Sequence, residues 1–324
     1  MRLRVPHLVL PLAALVLAGC APTAAGDDGE LRVVASTSVY GDIAATVAGD
    51  LAEVESIVVS TTQDPHSYEV TARDRLTLEG ADLVVFNGGG YDPFVEAVLS
   101  AMDTEPAAVE AVVVAGLVEG DHDHEGEEHA EEEPAEGEEH AEGEDHDGHG
   151  HIEGVNEHVW YDLHIMGEVA HEVAHELGEL DPDNAEAYEA NAEEFHTGLE
   201  ELETELADLA TRAAGLGVVI TEPVPGYLLA EAGFTDLTPE GFSEAVEEGS
   251  DVPPALLAAT IAAVADAALV TNNPQTSGPE TEQLLAAAED ADVPVVDFLE
   301  LLPEGSTYVE WMRDNIAGLA TALP

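Results

Sequence analysis

A chain of 324 residues with 45% hydrophobic side chains can bury the cores of two domains of ordinary size, which excludes a wholly disordered protein. Its 70 acidic residues face seven arginines and no lysine, a formal net charge of −63, so nucleic acid and anionic lipid surfaces repel it and nucleic acid is excluded as a partner. Acidity of this degree keeps a protein soluble in concentrated salt, where charge repulsion is screened within a few ångströms, and points to a salt-adapted source.

Residues 1–20 read as an export signal, with Arg2 and Arg4 as the basic start and Val5 to Leu17 as a short apolar stretch. That stretch is too short to span a membrane comfortably. It ends in Leu17-Ala18-Gly19-Cys20, which resembles the lipobox of bacterial lipoproteins, where the cysteine is lipidated and becomes the mature N-terminus. Residues 21–30, rich in Ala, Thr, Gly and Asp, then form a flexible tether. Cys20 is the only cysteine, so no intramolecular disulfide forms and thiolate zinc sites of the Cys-x-x-Cys type are excluded. Any metal site must use His, Asp and Glu.

From Leu31 onward, short apolar runs alternate with stretches of helical period, the pattern of an α/β protein with mostly parallel sheets flanked by helices. An N-terminal lobe over residues 31–180 has expected strands at Leu31 to Ser36, Val54 to Ser60, Asp82 to Asn87 and Ala111 to Ala115, with helices at Gly41 to Ala48, Ala72 to Glu79 and Pro93 to Met102. Gly88-Gly89-Gly90 lacks the spacing of a phosphate-binding loop and reads as a turn after the strand ending at Asn87. Residues 181–214 form one long linking helix, in which Tyr188, Phe195, Leu199, Leu202, Leu206 and Leu209 recur at spacings of three, four or seven, with Asp181 as its cap and Pro182 at its first position. A helix of about thirty residues spans roughly 45 Å, enough to act as a rigid spine. A C-terminal lobe over residues 215–324 has expected strands at Gly217 to Thr221, Ala268 to Thr271 and Pro294 to Asp297, and helices at Gly226 to Glu231, Pro254 to Ala265, Glu280 to Glu289 and Val309 to Leu319. The expected architecture is two α/β lobes joined by one spine helix.

Residues 119–157 fit no packed element: Glu, Asp, His and Gly dominate and almost nothing is apolar, which predicts a disordered, solvated loop. It carries seven of the 14 histidines, namely His122, His124, His129, His140, His146, His149 and His151. Imidazoles among carboxylates attract zinc, copper and nickel, so this loop is a set of weak, scavenging metal sites.

Two further histidines sit where chemistry is expected. Gln63-Asp64-Pro65-His66-Ser67-Tyr68-Glu69 follows an apolar strand, which puts His66 on a loop beyond a strand's carboxyl end, where open α/β sheets collect ligands. Asn156-Glu157-His158-Val159-Trp160-Tyr161-Asp162 ends the histidine-rich loop and leads into the next helix.

These two segments resemble the histidine signatures of the zinc- and manganese-specific ABC solute-binding proteins, a family in which two α/β lobes are joined by a long helix and an acidic, histidine-rich loop often precedes the second histidine. The resemblance runs from about Leu31 to the C-terminus. It implies that His66 and His158 are metal ligands, that Glu222 in Val218-Val219-Ile220-Thr221-Glu222-Pro223 is the third, and that the acid in Phe298-Leu299-Glu300 is the fourth, with Asp297 at the strand end as the alternative to Glu300. Two imidazoles and two carboxylates suit a borderline divalent cation, zinc before manganese, since affinity rises from manganese towards zinc.

The resemblance thus implies an extracytoplasmic, lipid-anchored monomer that is no enzyme and has no catalytic cofactor. It would capture Zn2+, or Mn2+, for an ABC permease and its ATPase, with membrane attachment through Cys20 and no contact with nucleic acid. Two rival readings stay open. His171-Glu172-Val173-Ala174-His175 is a literal His-Glu-x-x-His, the helical motif of zinc peptidases with Glu172 as general base, against a simple solvated helix face. A metal-buffering or adhesive surface lipoprotein would carry the same anchor and loop.

Overall fold

The computed structural model describes residues 31–118, 155–276 and 278–323. Its N-terminal half opens with β1 (Leu31–Thr37), α1 (Ser38–Ala48), β2 (Ala52–Val58), α2 (Ala72–Glu79), β3 (Leu83–Phe86), α3 (Pro93–Leu99), β4 (Ala107–Glu110) and the single turn α4 (Ala111–Val114). A short 3-10 turn at Val159–Tyr161 leads into α5 (Leu163–Leu180) and the 29-residue α6 (Ala185–Ala213). The rest comprises β5 (Gly217–Ile220), α7 (Gly226–Glu231), β6 (Thr235–Asp236), α8 (Phe242–Glu247), α9 (Pro254–Ala263), β7 (Ala267–Asn272), α10 (Pro279–Asp290), β8 (Val295–Asp297) and α11 (Tyr308–Ala322). Among the described residues no helix is long and apolar enough to cross a membrane.

Two four-stranded sheets result, ordered β2-β1-β3-β4 and β6-β5-β7-β8, and every pairing is parallel. The inner strands β1, β3 and β5 are buried, near-continuous apolar runs, as expected where helices cover both faces. The edge strand β2 instead mixes buried and exposed positions.

The spine helix α6 packs against α1, α5, α7 and α11, so it touches elements of both lobes. Its stripe of Tyr188, Phe195, Leu199, Leu202 and Leu206 is buried in one cluster that runs without a break from Val33 and Val85 in the first sheet to Ile220 and Met312 in the second lobe. The lobes therefore share a core. Smaller clusters lie on the far face of each sheet, around Val34, Val84 and Phe94 in the first and Val219, Phe242 and Leu284 in the second. Polar ties add to this seam: Tyr308 N–H donates to Asp42 at 2.7 Å, Leu302 N–H to Ser38 at 3.1 Å, and the Tyr161 hydroxyl to the Leu299 carbonyl at 2.7 Å.

Four expectations need correction. The fourth strand lies at Ala107–Glu110 and not at Ala111 to Ala115, because its partner β3 has only four residues and the ladder from Leu83↔Ala107 to Phe86↔Glu110 exhausts it. Asp181 does not cap the spine helix. Asn184 occupies that place, while Asp181 ends α5 and accepts hydrogen bonds from Asn184 at 2.6 Å and the Tyr188 hydroxyl at 3.1 Å. The segment before α9 holds the short strand β6 and helix α8, where no strand or helix was expected. The solvated loop was expected to run through Glu157, yet Asn156 donates to the Pro223 carbonyl at 3.0 Å and Glu157 is buried. Cys20, the signal and tether, and His122, His124, His129, His140, His146, His149 and His151 lie outside the described residues.

Candidate metal centre

The carboxyl ends of five parallel strands aim at one place between the lobes. The loop after β2 brings His66, the turn after β3 brings Tyr91, and the segments after β5, β7 and β8 bring Glu222, Asn273 and Glu300. Such loops can carry polar groups because the strands before them fix the backbone while leaving their own side chains free of the ladder.

His66 is set by a local turn, in which the Asp64 carboxylate accepts its backbone N–H at 2.9 Å and the Ser67 hydroxyl at 2.8 Å. Its ring meets the edge of Tyr91 at a centroid distance of 4.8 Å and lies 6.0 Å from the ring of His158. His66 Nε2 is 3.9 Å from Glu300 Oε2. His158 is fully buried, 5.0 Å from the Trp160 ring, and its Nδ1 lies 2.7 Å from Asn156 Oδ1. With Nδ1–H donated to that amide oxygen, Nε2 is the nitrogen left to face the cluster.

The two glutamates are joined from behind. Asn273 donates from Nδ2 to Glu222 Oε2 and to Glu300 Oε1, each at 2.7 Å, and the Thr276 hydroxyl donates to the other oxygen of Glu222. Glu300 N–H in turn donates to Gln275 at 2.8 Å. Asp297, the alternative to Glu300, sits in the ladder opposite Asn272, is exposed, and accepts from Asn272 at 2.7 Å. It stands apart from the cluster. The structure thus brings His66, His158 and Glu300 together, with Glu222 one shared amide away.

Burial sets the electrostatics. Desolvation pushes Glu222 and Glu300 each up to about 7, against partial relief from the hydrogen bonds of Thr276 and Asn273 on the first and the charge of His158 on the second. Burial alone would lower His158, but the neighbouring carboxylate of Glu247, followed by Glu157 and Glu300, outweighs it and carries the imidazole up to about 9. A divalent cation would satisfy the same negative potential that now favours protons.

Three contributors escaped the sequence reading. Glu247, at the end of α8, places Oε1 3.0 Å from His158 Nε2. One atom each of His66, Glu157, His158 and Glu247 fit within 4.8 Å of one another, and so do atoms of Asp64, His66 and Glu300. In a chain with 70 acidic residues, no signal distinguishes Glu247. Asn273 was legible in principle, since Asn272-Asn273-Pro274-Gln275 is a polar run at a strand's carboxyl end. Tyr91 follows the triple glycine and packs on Trp160 at 4.5 Å and on His66.

The triple glycine makes that placement possible. Gly88, Gly89 and Gly90 all have positive φ, at 77°, 66° and 92°, a run that only glycine adopts without strain. A Cβ on Gly88 would run into the Glu110 carboxylate, and one on Gly89 would lie 3.1 Å from Val112. Gly89→Ala is therefore expected to cost about 1–3 kcal/mol of stability, read as a lower thermal midpoint. An unchanged midpoint would contradict the turn's role.

Asp92 closes the same turn by accepting the N–H groups of Asn87 and Gly88, each at 2.8 Å. Burial pushes Asp92 up to about 6 and Glu110, with added repulsion from Glu96 and Asp92, up to about 7. Both folded values exceed the unfolded ones, so between roughly pH 4 and 7 the folded chain binds more protons and stability falls as pH rises. Metal-free protein is expected to melt several degrees higher at pH 5.5 than at pH 7.5; the reverse order would contradict this.

The peptidase motif does not form a centre. His171 pairs with Glu189 at 3.5 Å and His175 with Glu179 at 3.8 Å, both partly exposed on α5, and neither belongs to a metal-holding group among the described residues.

Residues 33–322 match the family model described as zinc-uptake complex component A, periplasmic. The manganese ABC transporter substrate-binding lipoprotein PsaA of Streptococcus pneumoniae serotype 4 is 32% identical over 194 residues, covering 56% of this chain and 53% of that protein. The chain spans about half the length of the curated relatives it matches. Among solved structures, the periplasmic zinc-binding protein TroA of Treponema pallidum superposes with a TM-score of 0.67 at 19% identity, over 90% of this chain and 99% of that one. The nickel complex of FpvC from Pseudomonas aeruginosa does so with a TM-score of 0.66 at 22% identity, over 91% of this chain and 97% of that one. At these identities the structural likeness speaks to the fold.

Proposed function

The chain belongs to the family of zinc-uptake complex component A proteins, and on that premise we propose that it captures a divalent transition metal outside the cytoplasm and hands it to an ABC importer. Zinc is the favoured cargo and manganese the competitor. The observation that carries this reading is the meeting of His66, His158 and Glu300, separated by up to 234 positions in sequence, around a buried negative centre with Glu222 tied to it through Asn273.

Capture requires no covalent step. The incoming cation displaces the proton from His158 Nε2 and neutralises the buried carboxylates, so binding releases protons and weakens in acid. Two imidazoles and two carboxylates supply donors acceptable to both metals, and the relative named as a manganese transporter protein supports keeping manganese in view. The shared core and the hydrogen bonds across the seam support a small opening of the lobes, since a large one would break the packing of α6.

In this reading Cys20 carries the lipid anchor, a permease and its ATPase are the partners, and the histidines of residues 119–157 bind metal weakly. The peptidase alternative loses support: the His171 and His175 pair is engaged with glutamates on partly exposed helix faces. Elemental analysis of protein purified without added metal, paired with competitive titration by Zn2+ and Mn2+, tests the proposal. One tight equivalent of either metal per chain is expected, and absence of tight binding of both would overturn it.

A further inference from the structure

The four residues drawn from the sequence do not account for every donor at the centre. Glu247 reaches it from α8, in the stretch between β6 and α9, and its side chain is only 9% exposed. Its Oε1 lies 3.0 Å from His158 Nε2, the nitrogen left over once Nδ1 is held by Asn156. At that distance the two form an ion pair while the imidazole keeps its proton, though neither atom meets the geometry of a well-directed hydrogen bond and Glu300 Oε2 has no hydrogen-bond partner either. The spacing is also that of neighbours on a shared ion: bonds of about 2.0–2.2 Å to one cation put adjacent donor atoms about 3–3.6 Å apart. By contrast both oxygens of Glu222 are engaged, one with Asn273 and the other with Thr276.

From this geometry we infer that Glu247 is a further ligand of the captured cation, delivered by α8 to the same side as His158. This rests on the metal-capture reading above. A carboxylate buried beside His158 and His66 in a chain without lysine is balanced by those imidazoles or by the ion that replaces their protons. A third carboxylate also hardens the donor set and raises the number of oxygen atoms available, which helps Mn2+ more than Zn2+. Glu247 is then the residue that narrows the gap between the two metals.

The test is competitive titration of the full chain with Mn2+ and with Zn2+, in wild-type, Glu247→Gln and Glu247→Ala forms. Glu248→Gln, a change at the exposed neighbouring position, controls for the loss of one negative charge, and circular dichroism checks that each variant folds. Both Glu247 variants are expected to bind Mn2+ at least about tenfold more weakly, with a smaller loss for Zn2+, while Glu248→Gln matches wild type. Unchanged or tighter binding in the two Glu247 variants would overturn the inference, since a carboxylate that merely guards His158 competes with the metal and its removal helps binding. If wild type takes up neither metal in the same titration, the capture reading fails and this inference with it.

Discussion

His158→Ala is expected to weaken tight binding of Zn2+ or Mn2+ by more than about 100-fold. Loss of a group that only supports a ligand already costs about 10- to 100-fold, and His158 would be the ligand itself. The substitution removes the fully buried imidazole whose Nδ1 is locked to Asn156, and with it the nitrogen 3.0 Å from Glu247. It also leaves space beside Tyr91 and Trp160, so the folded fraction must be checked in the same samples. His66→Ala, on a partly exposed loop, should lose affinity with less damage to stability. Competition against a chromophoric chelator reads both, and wild-type affinity in folded His158→Ala would contradict the ligand assignment.

Metal should also stabilise the fold strongly. A ligand at about 1,000 times its dissociation constant adds about 4 kcal/mol, and 1 kcal/mol moves the midpoint of a chain this large by about 2–4 °C. A rise of roughly 8–16 °C is therefore expected on adding a slight excess of Zn2+ to metal-free protein at pH 8, reversed by a chelator. The site gives a reason for so large a response. Glu222 and Glu300 share one Asn273 amide and burial holds both near 7, so at pH 8 the metal-free chain keeps two buried carboxylates charged with too few donors. Lowering the pH protonates these carboxylates and keeps the proton on His158, whose value is about 9, so the metal-induced rise should shrink between pH 8 and pH 5.5. A shift under about 2 °C at pH 8, or one that grows in acid, would contradict this account.

Much of this centre could be read from residues because several of its strands are short, apolar and buried, and the candidate ligands lie in the loops after strands. Leu83 to Phe86 and Gly217 to Ile220 announce themselves as buried strands, and that alone puts Glu222 at a sheet's carboxyl end. The stripe on α6 gave the spine, since leucines at helical spacing have one face to bury. The strand at Ala107–Glu110 is hard to place from sequence because apolar residues stand on both sides of Glu110, from Ala107 to Val109 and from Ala111 to Ala115, and only the length of its partner β3 shows where pairing stops. Glu247 carries no local mark and Asn273 only that of a polar run after a strand: their importance comes from what lies opposite them in space, His158 for the first, Glu222 and Glu300 for the second. Asp297 and Glu300 were separable only by register, which spends Asp297 on Asn272 and leaves Glu300 beyond the ladder.

The most direct test of the central claim is a crystal structure of the metal-loaded chain with anomalous scattering recorded at the zinc or manganese edge. The account predicts one strong peak between the lobes, within about 2.0–2.3 Å of His66 Nε2, His158 Nε2 and an oxygen of Glu300. A principal peak elsewhere, whether on His171 and His175 or among the histidines of residues 119–157, would contradict it.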